Sequence, residues 1–301
     1  MTPGDPPTAL RDVPGAVPPG WEVLRTDGLG PFTTHALLRQ ADGREVEWTS
    51  RRNRKRLGLR APGARRLGDL ERRWGGRPSR ASWAMGVLFA LGSACFAVAS
   101  LPPFFDTIAP GVVAGTFFVG SIFFTTASAL QYREALAAPG GVGPDAPRRR
   151  GWRAIVGWKL RGIDWWAAAV QLVGTVFFNI STFAATRTDL DLTQERRLIW
   201  APDVAGSICF LVASWLAWTE VNPGLRPRSD RSVGWRIAAL NLVGSIAFGV
   251  AAVAARYLRT TGDPANITLV NLGTFLGAVC FLAGAVLLPV ESAQDTSADP
   301  G

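Results

Sequence analysis

Three glutamates stand where apolar stretches of this 301-residue chain give way to polar sequence: Glu134, Glu220 and Glu291. A carboxylate at such a boundary can accept a proton, hold a cation or pair with an arginine. Arg133, Arg226 and Arg228 lie close in sequence and are the expected partners, unless the three glutamates simply mark the end of a membrane segment. If the segments that carry them pack around one axis, they form a ring. The remaining candidates for chemistry are sparse. His35 is the only histidine, and a metal site needs further ligands. Cys95, Cys209 and Cys280 all lie in apolar windows, where a thiol acts as a small hydrophobe and has no base to activate it. Gly140-Gly141-Val142-Gly143, between Pro139 and Pro144, reads as a linker, and no Gly-x-Ser-x-Gly elbow is present. Catalytic residues, a cofactor site and a metal site are therefore not expected, and an enzyme is not the favoured class.

The elements that must position the glutamates are six apolar windows: 83–101, 112–130, 165–185, 200–218, 235–255 and 267–290. About 20 apolar residues cross roughly 30 Å of hydrocarbon as a helix. The fourth window is weakest, because Pro202 and Asp203 stand near its start. Pro suits a first helical turn and Asp the positive end of the helix dipole, so a span is still expected there. No ionisable residue is expected near mid-depth. Lys and Arg number 16 in residues 1–82, none in 102–111 and seven in 131–164. By the positive-inside rule both termini are expected in the cytoplasm of a multi-pass cell-membrane protein. Residues 1–20 are rich in Pro and Gly without an apolar core, so they read as a disordered N-terminus and not as a signal peptide. Only two of the 32 basic residues are Lys. Such bias fits the codon supply of a GC-rich bacterial genome.

The windows share a register. Each has a Gly, a Phe four residues on and a small residue eight on: Gly92, Phe96, Ser100; Gly120, Phe124, Ser128; Gly174, Phe178, Thr182; Gly206, Phe210, Ser214; Gly244, Phe248, Ala252; Gly277, Phe281, Ala285. That spacing keeps all three on one helix stripe. Its ordinary meaning is close helix packing. Trp83, Trp165 and Trp235 lie nine residues before the Gly of the odd windows. Glu134, Glu220 and Glu291 lie fourteen after the Gly of the even ones. All six markers then fall at one interface. The repeating unit is a two-span hairpin present three times: 81–136, 165–222 and 223–292, with a linker over 137–164 and a tail over 293–301. Gln171 and Asn241 share a place three residues before the Gly, and Asn179 and Asn271 are the other amides in the spans. Interhelical hydrogen bonds are their expected use.

The segments Phe-Ala-Leu-Gly-Ser-Ala-Cys-Phe (89–96) and Phe-Val-Gly-Ser-Ile-Phe-Phe (118–124) resemble the YrhK-like domain of bacterial membrane proteins. That domain is a short two-span unit with Gly-Ser-x-x-Phe in its helices, and residues 80–292 look like a triplicated, mainly actinobacterial version. The family is uncharacterised, so the resemblance implies a membrane location and supplies no functional residues.

Ahead of the spans, 21–80 form a basic cytoplasmic segment. Phe32–Gln40, Asp42-Gly43 and Arg44–Trp48 predict a small β-hairpin, which needs something to pack on. Residues 51–80 hold 12 basic and two acidic residues, which fits contact with anionic lipid headgroups or enforcement of topology. Only Trp74 interleaves with the charges, too little stacking surface for nucleic acid. The expected architecture is an all-α integral membrane bundle of six helices. The favoured function is a non-enzymatic structural, sensing or partner-binding role, and the alternative is a small-solute transporter or channel using the repeat interface.

Overall fold

A computed structural model describes residues 12–13, 15–62, 77–143, 146, 157–222, 232–258 and 263–297. The clusters Arg65-Arg66, Arg72-Arg73 and Arg148–Arg150, together with Arg226 and Arg228, lie outside the described residues.

The predicted hairpin forms, as β2 (Phe32–Arg39) and β3 (Glu45–Thr49). Gly43 takes φ +84 at the turn, a conformation that suits glycine. A strand absent from the expectation, β1 (Glu22–Leu29), pairs antiparallel with β2 and completes a three-stranded sheet. Its alternation is broken by register shifts between Val23 and Arg25 and between Asp27 and Gly28, which blurs the period-2 signal. The sheet has its own small core of Ala36, Leu38 and Trp48, closed by Val13 and Val142. Val13 lies within the stretch expected to be disordered and is buried. Val142 comes from the linker, whose amide donates to the Ala16 carbonyl at 3.1 Å. The cap is thus assembled from the N-terminal segment and the linker together.

A five-residue helix, α1 (Ser50–Arg54), follows β3 directly. The Thr49 hydroxyl accepts from the Arg52 amide at its start.

Six helices are long and apolar enough to cross a bilayer, and they support a multi-pass membrane protein in contact with lipid. They are α2 (Arg80–Ala99), α4 (Pro110–Ala137), α5 (Ile163–Ala184), α7 (Ala201–Val221), α8 (Val233–Ala254) and α9 (Ile267–Ser297). A short α3 (Pro102–Thr107) joins the first two. Each spanning helix packs on its chain neighbour, and α9 returns to pack on α2, so the six close into a ring.

The weak fourth window is longer than expected. Its helix begins at α6 (Leu192–Glu195), started by an Asp191/Gln194 capping box, and runs through a π-helical turn at Arg196–Trp200 into α7. Pro202 has no amide hydrogen and crowds the preceding turn, and a wider turn just before it relieves both problems. Asp203 consequently lies well inside the helix instead of at its start. The expected C-terminal tail is also partly helical, since α9 continues past residue 292.

Candidate functional site

The glycines of the register decide how the ring packs. A Cβ added at Gly92 of α2 would stand 2.9 Å from the Gly120 carbonyl and 2.9 Å from the Phe124 ring of α4. One added at Gly120 would stand 2.8 Å from the Phe96 ring of α2. Gly174 and Gly206, on α5 and α7, meet each other's carbonyls and phenylalanines in the same way, as do Gly244 and Gly277 on α8 and α9. Each glycine therefore admits the backbone of its partner helix and the partner's Phe beside it.

The six phenylalanines are thereby pushed to the middle of the ring, where all are at least 92% buried and form one core cluster. Phe124, Phe210 and Phe281 make a closed triangle of rings, with centroids 6.2, 5.8 and 6.1 Å apart. Phe96, Phe178 and Phe248 lie against them, Phe248 touching both others at 5.8 and 6.0 Å. The space left between the six is about 10 Å³, at the lower limit for a single water.

A cavity lies on each side of this aromatic layer. The one nearer the cap measures about 90 Å³ and is lined by Phe124, Phe210, Phe281, Gln131, Gln171 and Asn241, among others. The one at the opposite end measures about 220 Å³ and is lined by Phe96, Phe178, Phe248, Asp203, Tyr257 and Thr274, among others. The two walls follow the register. Three residues before the glycine, the odd helices carry Phe89, Gln171 and Asn241, which face the first cavity. At the same offset the even helices carry Phe117, Asp203 and Thr274, which face the second. Odd and even helices run in opposite directions, so one sequence position reaches opposite ends of the ring. Of the amides, Asn179 instead donates to the Thr125 hydroxyl at 2.8 Å. Gln171 does the same to Ser128 at 3.3 Å from the cavity wall. Gln131 Oε1 is buried in the same wall without a hydrogen-bond partner.

The three glutamates converge at the cap end, and among the described residues their partners do not include the expected Arg133; Arg226 and Arg228 lie outside the described residues. α1 supplies the partners. Arg51 Nη2 stands 2.6 Å and Lys55 Nζ 2.8 Å from Glu291. Arg54 lies between Glu220, at 3.6 Å, and Glu134, at 3.9 Å. The Ser50 hydroxyl donates to Glu220 at 2.7 Å, and Lys55 also meets Asp295 at 2.6 Å. Gly234 makes room for this on α8: a Cβ there would come 2.5 Å from Glu291 Oε1. The Glu220 side chain is 3% exposed and that of Arg54 11%. Burial opposes the charge on Arg54, yet the carboxylates of Glu220, Glu134, Asp164 and Glu291 together raise its pKa above the ordinary arginine value. Asp164, at the start of α5, is buried in the wall of the same cavity and was not singled out from sequence. A signal existed: it stands one residue before the Trp165 marker.

The tryptophan markers do not share one environment. Trp83 is 57% exposed, whereas Trp165 is buried against Tyr132 and Trp166. Trp235 is intermediate, its indole donating to Asn222 at 3.3 Å. His35 sits on the sheet between Asp27 and Glu47, at 3.5 and 3.8 Å. Among the described residues no cluster could hold a metal ion.

Comparisons with protein-family models, with curated proteins and with solved structures give no match to this chain.

Proposed function

We propose that the chain is a gated membrane pathway for small polar solutes, held shut here by the six-phenylalanine layer. One observation carries this: a closed ring of six helices encloses a polar cavity at the cap end and a largely apolar one, with Asp203, Tyr257 and Thr274 in its wall, at the other, separated by that layer. A purely structural bundle has no need of polar side chains on both sides of an aromatic seal, since unpaired polar groups cost free energy in a dry interior. Hydrophobic constrictions gate by excluding water. The geometry therefore favours the transporter or channel reading over the structural or sensing one.

The six spans are taken as three copies of a two-span unit of YrhK-like type, on the strength of the Gly-Phe-small register and the reciprocal packing of each glycine pair. The basic excess near the first span supports putting the cap and both termini on the cytoplasmic side of a bacterial plasma membrane. Because Arg51, Arg54 and Lys55 turn inward, contact with anionic headgroups falls to the other basic residues of 51–80.

Flux into proteoliposomes tests the pathway. Phe210 touches Phe124, Phe178 and Phe281, so Phe210→Ala opens the middle of the seal. Uptake of a small polar tracer should rise about tenfold or more over the unaltered protein. Impermeability of Phe210→Ala and of Phe248→Ala, both reconstituted as folded protein, would return the chain to a structural role.

A further inference from the structure

We infer that the cap end of the ring is a binding site for guanidinium or primary ammonium cations, occupied in this structure by the chain's own Arg51, Arg54 and Lys55. α1 is then a tethered competitor of a cationic solute. The inference deepens the pathway reading and rests on it for what the site delivers.

Charge comes first. Five carboxyl groups line or flank the mouth: Glu134, Asp164, Glu220, Glu291 and Asp295. Arg51, Arg54 and Lys55 of the cap meet them and Lys159 acts on Asp164, so the five carboxyl groups still outnumber the four cations. A mouth of that sign repels anions and concentrates cations.

Chemical type comes second. The groups found there are two guanidinium groups and one ammonium, and the contacts are those such groups prefer. Arg51 addresses Glu291 Oε1 through both Nε, at 2.7 Å, and Nη2, at 2.6 Å. Lys55 divides its donors between Glu291 Oε2 and Asp295. Arg54 is different. Its distances of 3.6 and 3.9 Å are long for charge-assisted hydrogen bonds, and its buried Nε has no hydrogen-bond partner. The carboxylates around it are thus arranged for a planar cation without being drawn tightly onto this one, and a free guanidinium can settle closer.

Continuity comes third. The same three side chains form part of the wall of the cap-end cavity, which leads on to Gln131, Gln171 and Asn241 and then to the aromatic layer. The buried, unpartnered Gln131 Oε1 offers an acceptor to an N–H donor one step further along. A cation that displaced α1 would meet carboxylates first and neutral carbonyl oxygens next.

Chemical rescue tests the site without passing through flux. Arg54→Ala removes one guanidinium and leaves its carboxylates. In the purified full-length protein its thermal midpoint should fall by several degrees. Methylguanidinium at millimolar concentration should restore on the order of 2–4 °C of that loss, with potassium and tetramethylammonium at equal ionic strength restoring none. The unaltered protein should not respond, and Glu220→Gln added to Arg54→Ala should abolish the response. Equal restoration by all three cations, or none by any, overturns the assignment. Should Arg54→Ala not fold, Lys55→Ala with methylammonium gives the same comparison, and recovery of folded protein upon expression with that cation is an equivalent readout. A rescue without flux through Phe210→Ala would keep the site and reject the pathway. Flux without rescue would do the reverse.

Discussion

The Ser50 hydroxyl donates to Glu220 Oε1 at 2.7 Å, across 170 residues of sequence. One end of the bond is the first residue of the cap helix and the other is near the end of α7. The cap is thereby tied to the ring, together with Arg51 and Arg54. Removing a buried partner strands the charges it satisfied. Glu220→Ala should lower stability by about 3–5 kcal/mol, and Ser50→Ala by about 1–3 kcal/mol. In a double-mutant cycle the two losses should fall short of additivity, because they share the bond. Denaturant unfolding of the full chain in detergent measures both. Additive losses would mean that the bond contributes nothing.

The glycines divide into those that bear a helix contact and those that do not. A Cβ at Gly174 would stand 2.8 Å from Cys209 Cβ and 2.9 Å from the Phe210 ring, whereas one at Gly249 would meet nothing within 4 Å. Gly174→Ala should therefore destabilise by about 1–3 kcal/mol through overpacking. Gly249→Ala should be neutral or stabilising by up to about 1 kcal/mol, since alanine is the better helix former. Equal effects at the two positions would contradict the packing described.

Ser214 of α7 and Ser245 of α8 share a buried hydrogen bond at 2.8 Å. Their oxygens are close enough that sulfurs in the same places can bond. The double variant Ser214→Cys/Ser245→Cys should form an intramolecular disulfide on mild oxidation, seen as protection from alkylation by mass spectrometry. Its absence would put the α7–α8 contact in doubt.

Tyr257 lies outside the spanning helices, in the wall of the cavity opposite the cap. Burial, helped by the carboxylates of Glu195 and Asp203, pushes its phenol up from 10.0 to about 12. The folded chain then holds this proton after the unfolded chain has lost it. The resulting stability is fully present below pH 10 and is lost as pH rises through about 12. Tyr257→Phe has no such proton. Its stability should therefore fall less steeply than that of the unaltered protein between pH 10 and 12, and parallel curves would refute the shift.

Much of the fold was legible because membrane spans announce themselves locally. Twenty apolar residues in a row suffice to mark a helix, and a Gly-Phe spacing of four marks one stripe on it. The β2–β3 hairpin was legible through Asp42-Gly43 for the same reason. What failed locally was also local in cause. The bulges of β1 break its alternation. Pro202 disguised a helix that in fact starts ten residues earlier, at Leu192, and so hid Asp203 as a cavity residue.

By itself the sequence determined the six spans, the stripe that packs them and the glutamates worth watching, since each depends on residues a few positions apart. Only the tertiary structure decided what those glutamates face. Which of 32 basic residues reaches a buried carboxylate depends on where β3 ends and α1 sets down, and no nearest-neighbour rule chooses Arg51, Arg54 and Lys55 over Arg133. The same holds for the cavities. Phe89, Gln171 and Asn241 meet at one end, and Phe117, Asp203 and Thr274 at the other, only because the ring closes and alternate helices run in opposite directions.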